Sequence, residues 1–276
     1  MKKIRLKSGT DVLIKGKDYR GFPAGIRFRR APQDGWYWHP SPEGPLIPIT
    51  TKIVRYYRVF GFLYLRQKRS FLAVWEHIGS MAFMGLTGVI VEGSGHPPYH
   101  GRVLELWSAL KPHFETTNEE VKWCRPTHTV EWRYPRRDGF TRFAPHADPT
   151  RHSLDVTIMI DYPSVGKLTK DFSFPNAMSL LETSFQVHAQ GYPKEKYPFA
   201  KLISILGWPH LNSAVWPHRQ SPAETLELFI RHRLVDLLGA LSLCGQDRLL
   251  AGKVISICSG HLADLNALRQ ATFVPC

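Results

Sequence analysis

Residues 228–238 read Leu-Phe-Ile-Arg-His-Arg-Leu-Val-Asp-Leu-Leu, a mostly apolar run that carries one histidine and one carboxylate. His232 and Asp236 stand four residues apart, which is about one helical turn, so both side chains point to the same side of a helix. An imidazole nitrogen and a carboxylate oxygen are ordinary zinc ligands. The run therefore predicts a helix with half of a zinc site on one face.

The sequence also contains signals for where this helix begins and ends. Ser221 is a typical N-cap, Pro222 suits the first helical position, and Glu224 would complete a capping box. Gly245 follows the last apolar residues of the pattern. We expect the helix to begin after Ser221 and to end before Gly245.

The rest of the chain predicts short strands and helices in an order that occurs twice. In the first half, strands are predicted at 11–15, 26–29 and 89–91, and helices at about 70–84 and 103–110. In the second half, strands are predicted near 129–133, 153–160 and 253–258, and helices at about 175–189 and 263–271 beside the one described above. The polar stretch 111–122 is predicted to be an irregular connector.

This order predicts an α+β chain with two similarly ordered, sandwich-like domains, each a small sheet packed with helices. The N-terminal domain would span residues 1–115 and carry Glu76-His77, and the C-terminal domain would span residues 124–276 and carry His232, Asp236 and His261. We expect the active site to lie between the two domains.

Composition points to a globular protein that stays inside the cell. Of 276 residues, 43% are hydrophobic, and no apolar run is long enough to suggest a membrane span or a leader. The four cysteines form no CxxC pair, which favours reduced thiols over a disulfide scaffold or a zinc finger. We expect a cytoplasmic protein that works as a monomer.

The basic charge of the chain predicts an anionic partner. The formal net charge is +13, and ten lysines and arginines fall within the first thirty residues. Nucleic acid, an anionic membrane surface and a phosphate-bearing substrate would all be attracted by such a charge. A solvated basic face that only keeps the protein soluble is an equally open interpretation.

Two further segments could complete a hydrolytic site. In the predicted helix at 70–84, Glu76 and His77 diverge by about 100°, so His77 could bind a metal while Glu76 reaches a water molecule from the side. In Ser259-Gly260-His261, the glycine would let the backbone bend sharply and present the imidazole at the end of a strand. Each histidine could instead be an ordinary structural residue, because the chain has 13 of them.

These residues stand in an order that resembles a known family. The matching segments are Leu6-Lys7-Ser8-Gly9, Gly25 to Arg30, Glu76-His77, Ser153-Leu154-Asp155, Asp161-Tyr162-Pro163, Arg231-His232, Asp236, Gly239, Leu243-Cys244-Gly245, Gly252, Ser259-Gly260-His261 and Leu268. Together they resemble the UDP-3-O-acyl-N-acetylglucosamine deacetylases of lipid A synthesis. The C-terminal block from Phe229 to Ala271 carries the most specific part of the resemblance.

The resemblance implies a zinc hydrolase. His77, His232 and Asp236 would bind Zn²⁺, and Glu76 would be the general base toward the water that the metal activates. His261 would protonate the leaving amine or stabilise the oxyanion. Such a set is chemically coherent because zinc polarises an amide carbonyl while a base and an acid complete the proton transfers.

The resemblance also implies residues that bind the substrate. Ser184 or its neighbour Thr183 would match a hydroxyl near the oxyanion, and Phe185 follows directly. Arg233 stands where the family has a lysine, so the positive charge is kept on a different group. We expect Ser184, Phe185 and Arg233 to contact the substrate.

One departure from the family concerns the catalytic histidine. Ala240 stands where the family has an aspartate that orients this histidine. Without that carboxylate the imidazolium of His261 is less favoured, unless another acid takes its place. Asp264 is the candidate that the sequence offers.

The expected function is zinc-dependent removal of the N-acetyl group from UDP-3-O-acyl-N-acetylglucosamine or a close relative, a step of lipopolysaccharide synthesis. The partner would be an anionic nucleotide sugar, acylated, with contact to a membrane surface. The first alternative is a divergent paralogue that deacetylates another N-acetyl amino sugar, such as a cell-wall or exopolysaccharide precursor. The second is a non-catalytic basic protein on the same fold, for which the interleaved Glu131-Trp132-Arg133-Tyr134 could stack nucleic-acid bases, although nucleic acid is the less favoured partner.

Overall fold

The computed structural model describes residues 1–18, 20–58, 61–135, 138–162, 165–187, 189–190, 214–215 and 221–276. Within these ranges the chain is a mixed α+β protein with five α-helices and several small open sheets. None of the helices in the described part of the chain combines the length and the apolar character that crossing a bilayer requires.

The helices of the described residues are α1 (Trp75–Ser80), α2 (Val103–Leu110), α3 (Met178–Ser184), α4 (Pro222–Leu241) and α5 (His261–Gln270). Short 3-10 helices cover Met81–Met84, Pro98–Gly101 and Lys111–His113. The strands up to residue 120 are β1 (Lys2–Leu6), β2 (Asp11–Lys17), β3 (Pro23–Arg30), β4 (Trp36–His39), β5 (Ile47–Pro48), β6 (Val54–Tyr57), β7 (Phe62–Gln67), β8 (Ser70–Ala73), β9 (Val89–Glu92) and β10 (Phe114–Glu120). The strands after it are β11 (Lys122–Pro126), β12 (Val130–Arg133), β13 (Phe140–Ala144), β14 (Leu154–Tyr162), β15 (Gly166–Phe174), β16 (Ala189–Gln190), β17 (Ala214–Val215), β18 (Arg248–Leu250), β19 (Gly252–Ile257) and β20 (Phe273–Pro275).

Two five-stranded sheets share one topology. The first has the order β2-β3-β9-β4-β5 and the second has the order β12-β13-β19-β14-β15. In each, the central strand pairs antiparallel with one hairpin and parallel with the other. The repeated order of elements in the sequence thus corresponds to a repeated strand order, whereas the division into two domains stays a prediction.

The smaller sheets extend these two. Strands β6, β7 and β8 form an antiparallel sheet between β5 and α1 in the chain. Strand β1 pairs with β10, and β11 lies between β18 and β20. Because β1 and β10 come from opposite ends of the first half, their pairing ties the start of the chain to the segment that leads into the second half.

One hydrophobic core joins the two halves. It contains buried residues from Leu6 to Leu268, among them the inward face of β14, where Val156, Ile158 and Ile160 alternate with less buried positions. Alternation of this kind is what one covered face of a strand requires. Helices from both halves are therefore packed against a shared apolar interior.

Helices α1 and α4 cross at two glycines. A Cβ added to Gly239 would lie 1.6 Å from the main-chain oxygen of Glu76, and one added to Gly79 would lie 2.6 Å from Ser242 Oγ. Only residues without a side chain allow two helices to approach so closely. The crossing places the Glu76-His77 segment directly against the middle of α4.

The predicted start of α4 is confirmed. Ser221 Oγ accepts a hydrogen bond from the Glu224 backbone N–H at 3.3 Å, and Glu224 Oε2 accepts one from the Ser221 backbone N–H at 2.9 Å. Pro222 is the first helical residue, as predicted, and the helix ends at Leu241, before Gly245. All of these signals act within a few residues, which is why the sequence alone identifies them.

Three other predicted elements are wrong in extent. The helix predicted at 70–84 begins at Trp75, because residues 70–73 form β8 and pair with β7. The predicted connector 111–122 consists largely of β10, whose polar residues pair with β1. The helix predicted at 175–189 covers only Met178–Ser184. In the first two cases pairing with another strand decides the local structure, and for β10 that strand, β1, is distant in sequence.

Candidate metal centre

A strained turn leads into α1 and presents Glu76 and His77. Val74, the residue before the helix, has φ 53° and ψ 46°, a left-handed conformation that is unusual for a β-branched residue. A Cβ on Gly101 would lie 2.5 Å from Val74 Cγ2, so Gly101 makes room for this turn. Backbone strain of this kind persists only where the surroundings hold it in place, and it is common next to functional residues.

His77 from α1 meets His232 and Asp236 from α4 in a buried group. His77 Nε2 lies 3.4 Å from Asp236 Oδ1, and His232 Nε2 lies 3.6 Å from Asp236 Oδ2. One ligand atom from each of the three residues lies within 4.8 Å of the others. The sequence predicted these three residues as ligands, and the structure brings them together.

The spacing of this group fits a metal ion. Zinc at about 2.0 to 2.1 Å from each of its tetrahedral ligands separates neighbouring ligand atoms by roughly 3.3 Å. The two nitrogen-to-oxygen distances above are close to that value and longer than a good N–H···O hydrogen bond. Asp236 Oδ1 is also buried and accepts no well-formed hydrogen bond among the described residues. The His77, His232 and Asp236 group can therefore hold a metal ion.

The electrostatics of the group favour metal-binding protonation states. Burial lowers the pKa of His232 to about 4, so its imidazole is neutral near pH 7. Burial on its own would raise the pKa of Asp236, but the neighbouring His232, His261 and His77 rings lower it well below its ordinary value. A neutral imidazole and an ionised carboxylate are the forms that coordinate metal.

Glu76 lies beside the group and has one oxygen held in place. Its carboxylate is buried, and Oε2 accepts a hydrogen bond from the Leu63 backbone N–H at 2.9 Å. Oε1 lies 3.9 Å from His261 Nε2. Burial raises the pKa of Glu76, and the nearby His261 and His77 rings offset part of that effect. The contact with Leu63 is not predictable from the sequence, because a backbone N–H carries no residue-specific signal.

His261 is the first residue of α5 and points its Nε2 toward the same carboxylates. This atom lies 3.6 Å from Asp236 Oδ2. The expected role of Gly260 is wrong, because its φ of −160° is extended backbone that any residue adopts. The left-handed residue of this turn is instead Cys258, with φ 43°. As at Val74, a strained position stands just before a residue of the centre.

Asp264 does not supply the carboxylate that is missing at position 240, where this chain has Ala240. Asp264 Oδ1 accepts hydrogen bonds from Arg233 Nη2 at 2.6 Å and Thr141 Oγ1 at 2.7 Å. His261 Nδ1 and Asp264 Oδ2 are both buried without a hydrogen-bond partner in the described part of the chain. The hypothesis that Asp264 orients His261 is therefore wrong, because its carboxylate pairs with Arg233 instead.

Arg233 lies in an internal network. Its Nη2 also donates to Ser259 Oγ at 3.0 Å and to Ser256 Oγ at 3.1 Å, and only 9% of its side chain is exposed. Arg233 lies on α4 between the proposed ligands His232 and Asp236, and the network connects it to the turn before His261. Contact of Arg233 with a substrate stays a prediction.

The other predicted substrate residues lie on α3 and just after it. Ser184 is buried, and its hydroxyl donates to the Leu180 carbonyl at 2.7 Å. Thr183 Oγ1 donates to the same carbonyl at 2.9 Å. Both hydroxyls therefore bond the preceding helical turn, and an oxyanion role for Ser184 stays a prediction. Phe185 is buried and packs edge-on against Trp107.

A narrow cleft, with no room for a water-sized sphere in this structure, lies beside the metal group, and residues of both halves line it. Its lining residues are His77, Arg102, Val103, Phe185, Val187, His232 and Val235. Among them, Arg102 and Val103 were not predicted, because neither an arginine nor a valine is a metal-ligand type. Phe185 thus forms part of the wall of this cleft, together with the proposed ligands His77 and His232.

Much of the basic charge near the N-terminus is already paired. Six of the ten early basic residues form ion pairs with carboxylates of the protein: Lys3, Arg5, Arg20, Arg27, Arg29 and Arg30. In β12, Glu131 pairs with Arg142, and Trp132 packs edge-on against Tyr134. These contacts give the basic and aromatic residues structural partners, so they are weak support for a polyanion-binding face.

The arrangement of the site residues is the basis for inferring a function. The group His77, His232 and Asp236, with Glu76 and His261 at its edge, is set by the crossing of α1 and α4 and by the start of α5. No protein-family model matches the chain, and no curated protein matches it.

Proposed function

We propose that this protein is a zinc-dependent amide hydrolase that removes the N-acetyl group from UDP-3-O-acyl-N-acetylglucosamine or a closely related sugar. The observation that carries the proposal is the convergence of three ligand-type side chains with a carboxylate and an imidazole beside them. Hydrolytic zinc sites use three protein ligands, an open position, a base and an acid. The resemblance in the C-terminal block suggests the substrate.

The five residues divide into two roles. His77, His232 and Asp236 would hold the zinc, which when bound lowers the pKa of a water molecule and polarises the amide carbonyl. Glu76, fixed through Oε2, would take the proton of the attacking water on Oε1. His261 would give a proton to the leaving amine. The separation of 3.9 Å between Glu76 Oε1 and His261 Nε2 lets both act on one small reacting group.

The cleft supports a site shared by two domains. In this proposal the domain of residues 1–115 supplies Glu76 and His77, and the domain of residues 124–276 supplies the remaining three residues. The substrate would enter where Arg102 and Phe185 line the cleft. Arg102, which pairs with Glu105 at 2.7 Å, and Phe185 both line the cleft, and an arginine together with an aromatic ring suits a sugar that carries phosphate groups. The net charge of +13 suits attraction of such an anion.

A second candidate is a deacetylase of another N-acetylated amino sugar. The observation that favours it is the surroundings of His261, where the buried Nδ1 has no hydrogen-bond partner among the described residues and Ala240 leaves no acid on that part of α4. Without a carboxylate at Nδ1, the imidazolium is less stabilised and its ring is less firmly oriented. Such a site would suit a sugar with a different leaving amine.

A substrate panel tests the proposal and separates the two candidates. Purified protein with added zinc is incubated with N-acetylglucosamine, UDP-N-acetylglucosamine and 3-O-acylated UDP-N-acetylglucosamine, and released acetate is measured. Release only from the acylated nucleotide sugar supports the first candidate, and release from a simpler sugar supports the second. The absence of acetate from every substrate, with zinc bound, would contradict both.

A further inference from the structure

A second pocket lies away from the metal centre, between the start of β6 and the C-terminal end of α5. Its volume is about 690 Å³. Lys52, Arg55 and Arg269 bring three cationic side chains to it, and Leu243, Leu268 and Phe273 form an apolar part of its wall. The pocket therefore combines positive charge with apolar surface, and residues from both halves of the chain contribute to it.

Two of these cations converge on one backbone oxygen. Arg55 Nη1 donates to the Val54 carbonyl at 2.8 Å, and Arg269 Nη2 donates to the same carbonyl at 2.7 Å. Their guanidinium groups are therefore close neighbours of like charge. Burial lowers the pKa of Arg269, and the nearby positive charge of Arg55 lowers it further because the two cations repel each other.

In the part of the chain that the structure describes, no carboxylate compensates the charges of this pocket. Among the described residues, no Asp or Glu lines the pocket, and none lies within 4.0 Å of the cationic groups of Lys52, Arg55 or Arg269. This differs from the N-terminal basic residues, most of which are paired with carboxylates. Like charges held together without a counterion favour the binding of an anion.

We propose that this pocket binds a phosphate ester, with the phosphate between Arg55, Arg269 and Lys52 and an apolar group against Leu243, Leu268 and Phe273. Guanidinium groups offer paired N–H donors that match phosphate oxygens. The apolar wall favours a ligand whose phosphate is attached to an apolar body over inorganic phosphate.

This site is separate from the metal centre and does not depend on the proposed hydrolysis. Arg269 stands eight residues after His261 on α5, which places them roughly 12 Å apart along the helix axis. A bound phosphate would connect Arg55 of the first half to Arg269 of the second half. It would do so at the end of the helix that begins with His261.

Titration calorimetry with phenyl phosphate and with inorganic phosphate tests the proposal on the full chain. Wild-type protein should bind phenyl phosphate more tightly than phosphate, and affinity should fall as salt is added. The double variant Arg55→Gln, Arg269→Gln should bind phenyl phosphate at least about tenfold more weakly. Arg66→Gln is the matched control, because Arg66 is an exposed arginine on the same small sheet outside the pocket. Circular dichroism checks that each variant is folded.

Equal binding by wild type and the double variant would overturn the proposal, because the phosphate would then bind elsewhere, the metal centre included. Absence of binding to wild type would overturn it as well. Vesicles of phosphatidylcholine with and without phosphatidic acid identify the source of the ester. Binding to phosphatidic acid vesicles that is lost in the double variant indicates a lipid, and binding of phenyl phosphate alone indicates a soluble ligand.

Discussion

The main-chain oxygen of Glu76 occupies the space that a side chain on Gly239 would need, since an added Cβ would lie 1.6 Å from it. This contact sets the distance between α1 and α4. Because His77 follows Glu76 and Asp236 precedes Gly239 by less than one turn, the same contact sets the spacing of the proposed metal ligands.

Gly239→Ala is therefore expected to push the two helices apart. We expect a loss of stability of about 3 kcal/mol, at the upper end for inserting a methyl group into a packed core, and a weaker affinity for zinc. Urea denaturation and zinc titration measure the two effects. Gly25→Ala is the matched control, because a Cβ there makes only ordinary contacts, the nearest at 3.6 Å. Equal stability of the two variants would contradict this account of the crossing.

Glu76→Gln tests the proposed general base. The amide keeps the shape of the side chain but cannot take a proton, so hydrolysis should fall by about a hundredfold or more while bound zinc is retained. Acetate release and metal content are measured on the same sample. Glu227→Gln, the same change on another part of α4, should keep full activity because the partners of Glu227 among the described residues are Lys170 and Arg231, both outside the metal group. Unchanged turnover in Glu76→Gln would remove Glu76 from the mechanism.

The buried pair Arg233 and Asp264 should be strongly coupled. Asp264→Asn leaves an uncompensated buried guanidinium, which typically costs about 3 to 5 kcal/mol of stability. The double variant Arg233→Met, Asp264→Leu should recover part of that loss because no buried charge remains. Asp247 pairs with Lys122 at the surface, where 31% of the Asp247 side chain and 47% of the Lys122 side chain are exposed. Asp247→Asn should therefore lower the free energy of unfolding by about 1 kcal/mol or less. If the stability losses of the single variants Arg233→Met and Asp264→Leu add up to that of the double variant, the pair is not coupled.

Asp34 should contribute to stability in a defined pH range. Burial alone would raise its pKa, but hydrogen bonds and charges from Lys3 and Arg5 lower it below the ordinary value of 3.8. A lowered folded-state pKa means that the stabilisation is complete above the unfolded-state pKa and is lost as the pH falls through the folded-state value. Asp34→Asn should thus be less stable than wild type at pH 6, and the difference should shrink below about pH 4. Urea denaturation across this range measures it, and a constant difference would contradict the assignment.

The ends of some helices and strands can be predicted from local signals in the sequence, and those of others cannot. The cap of α4 was predictable because Ser221, Pro222 and Glu224 act within one turn. The start of α1 was not predictable, because residues 70–73 pair with β7 and Val74 turns the chain in a left-handed conformation. Strand β10 was missed for a similar reason, since its polar residues become a strand only by pairing with β1.

The candidate site shows the same limits. His232 and Asp236 were predictable as neighbours because one helical turn separates them, and Glu76-His77 and His261 were predictable as ligand or proton-transfer types. Their meeting depends on the helix crossing at Gly79 and Gly239, and no spacing in the sequence encodes a contact between segments so far apart. The pairing of Asp264 with Arg233 was missed because it also joins two separate helices.

Metal content is the measurement that tests the central claim most directly. Purified wild-type protein, dialysed after addition of zinc, should contain about one zinc per chain. His232→Ala should lose it, and His113→Ala, which changes an exposed histidine outside the group, should keep it. A folded wild-type protein that retains no zinc, or a His232→Ala variant that retains as much as wild type, would contradict the assignment of His77, His232 and Asp236 as the metal centre.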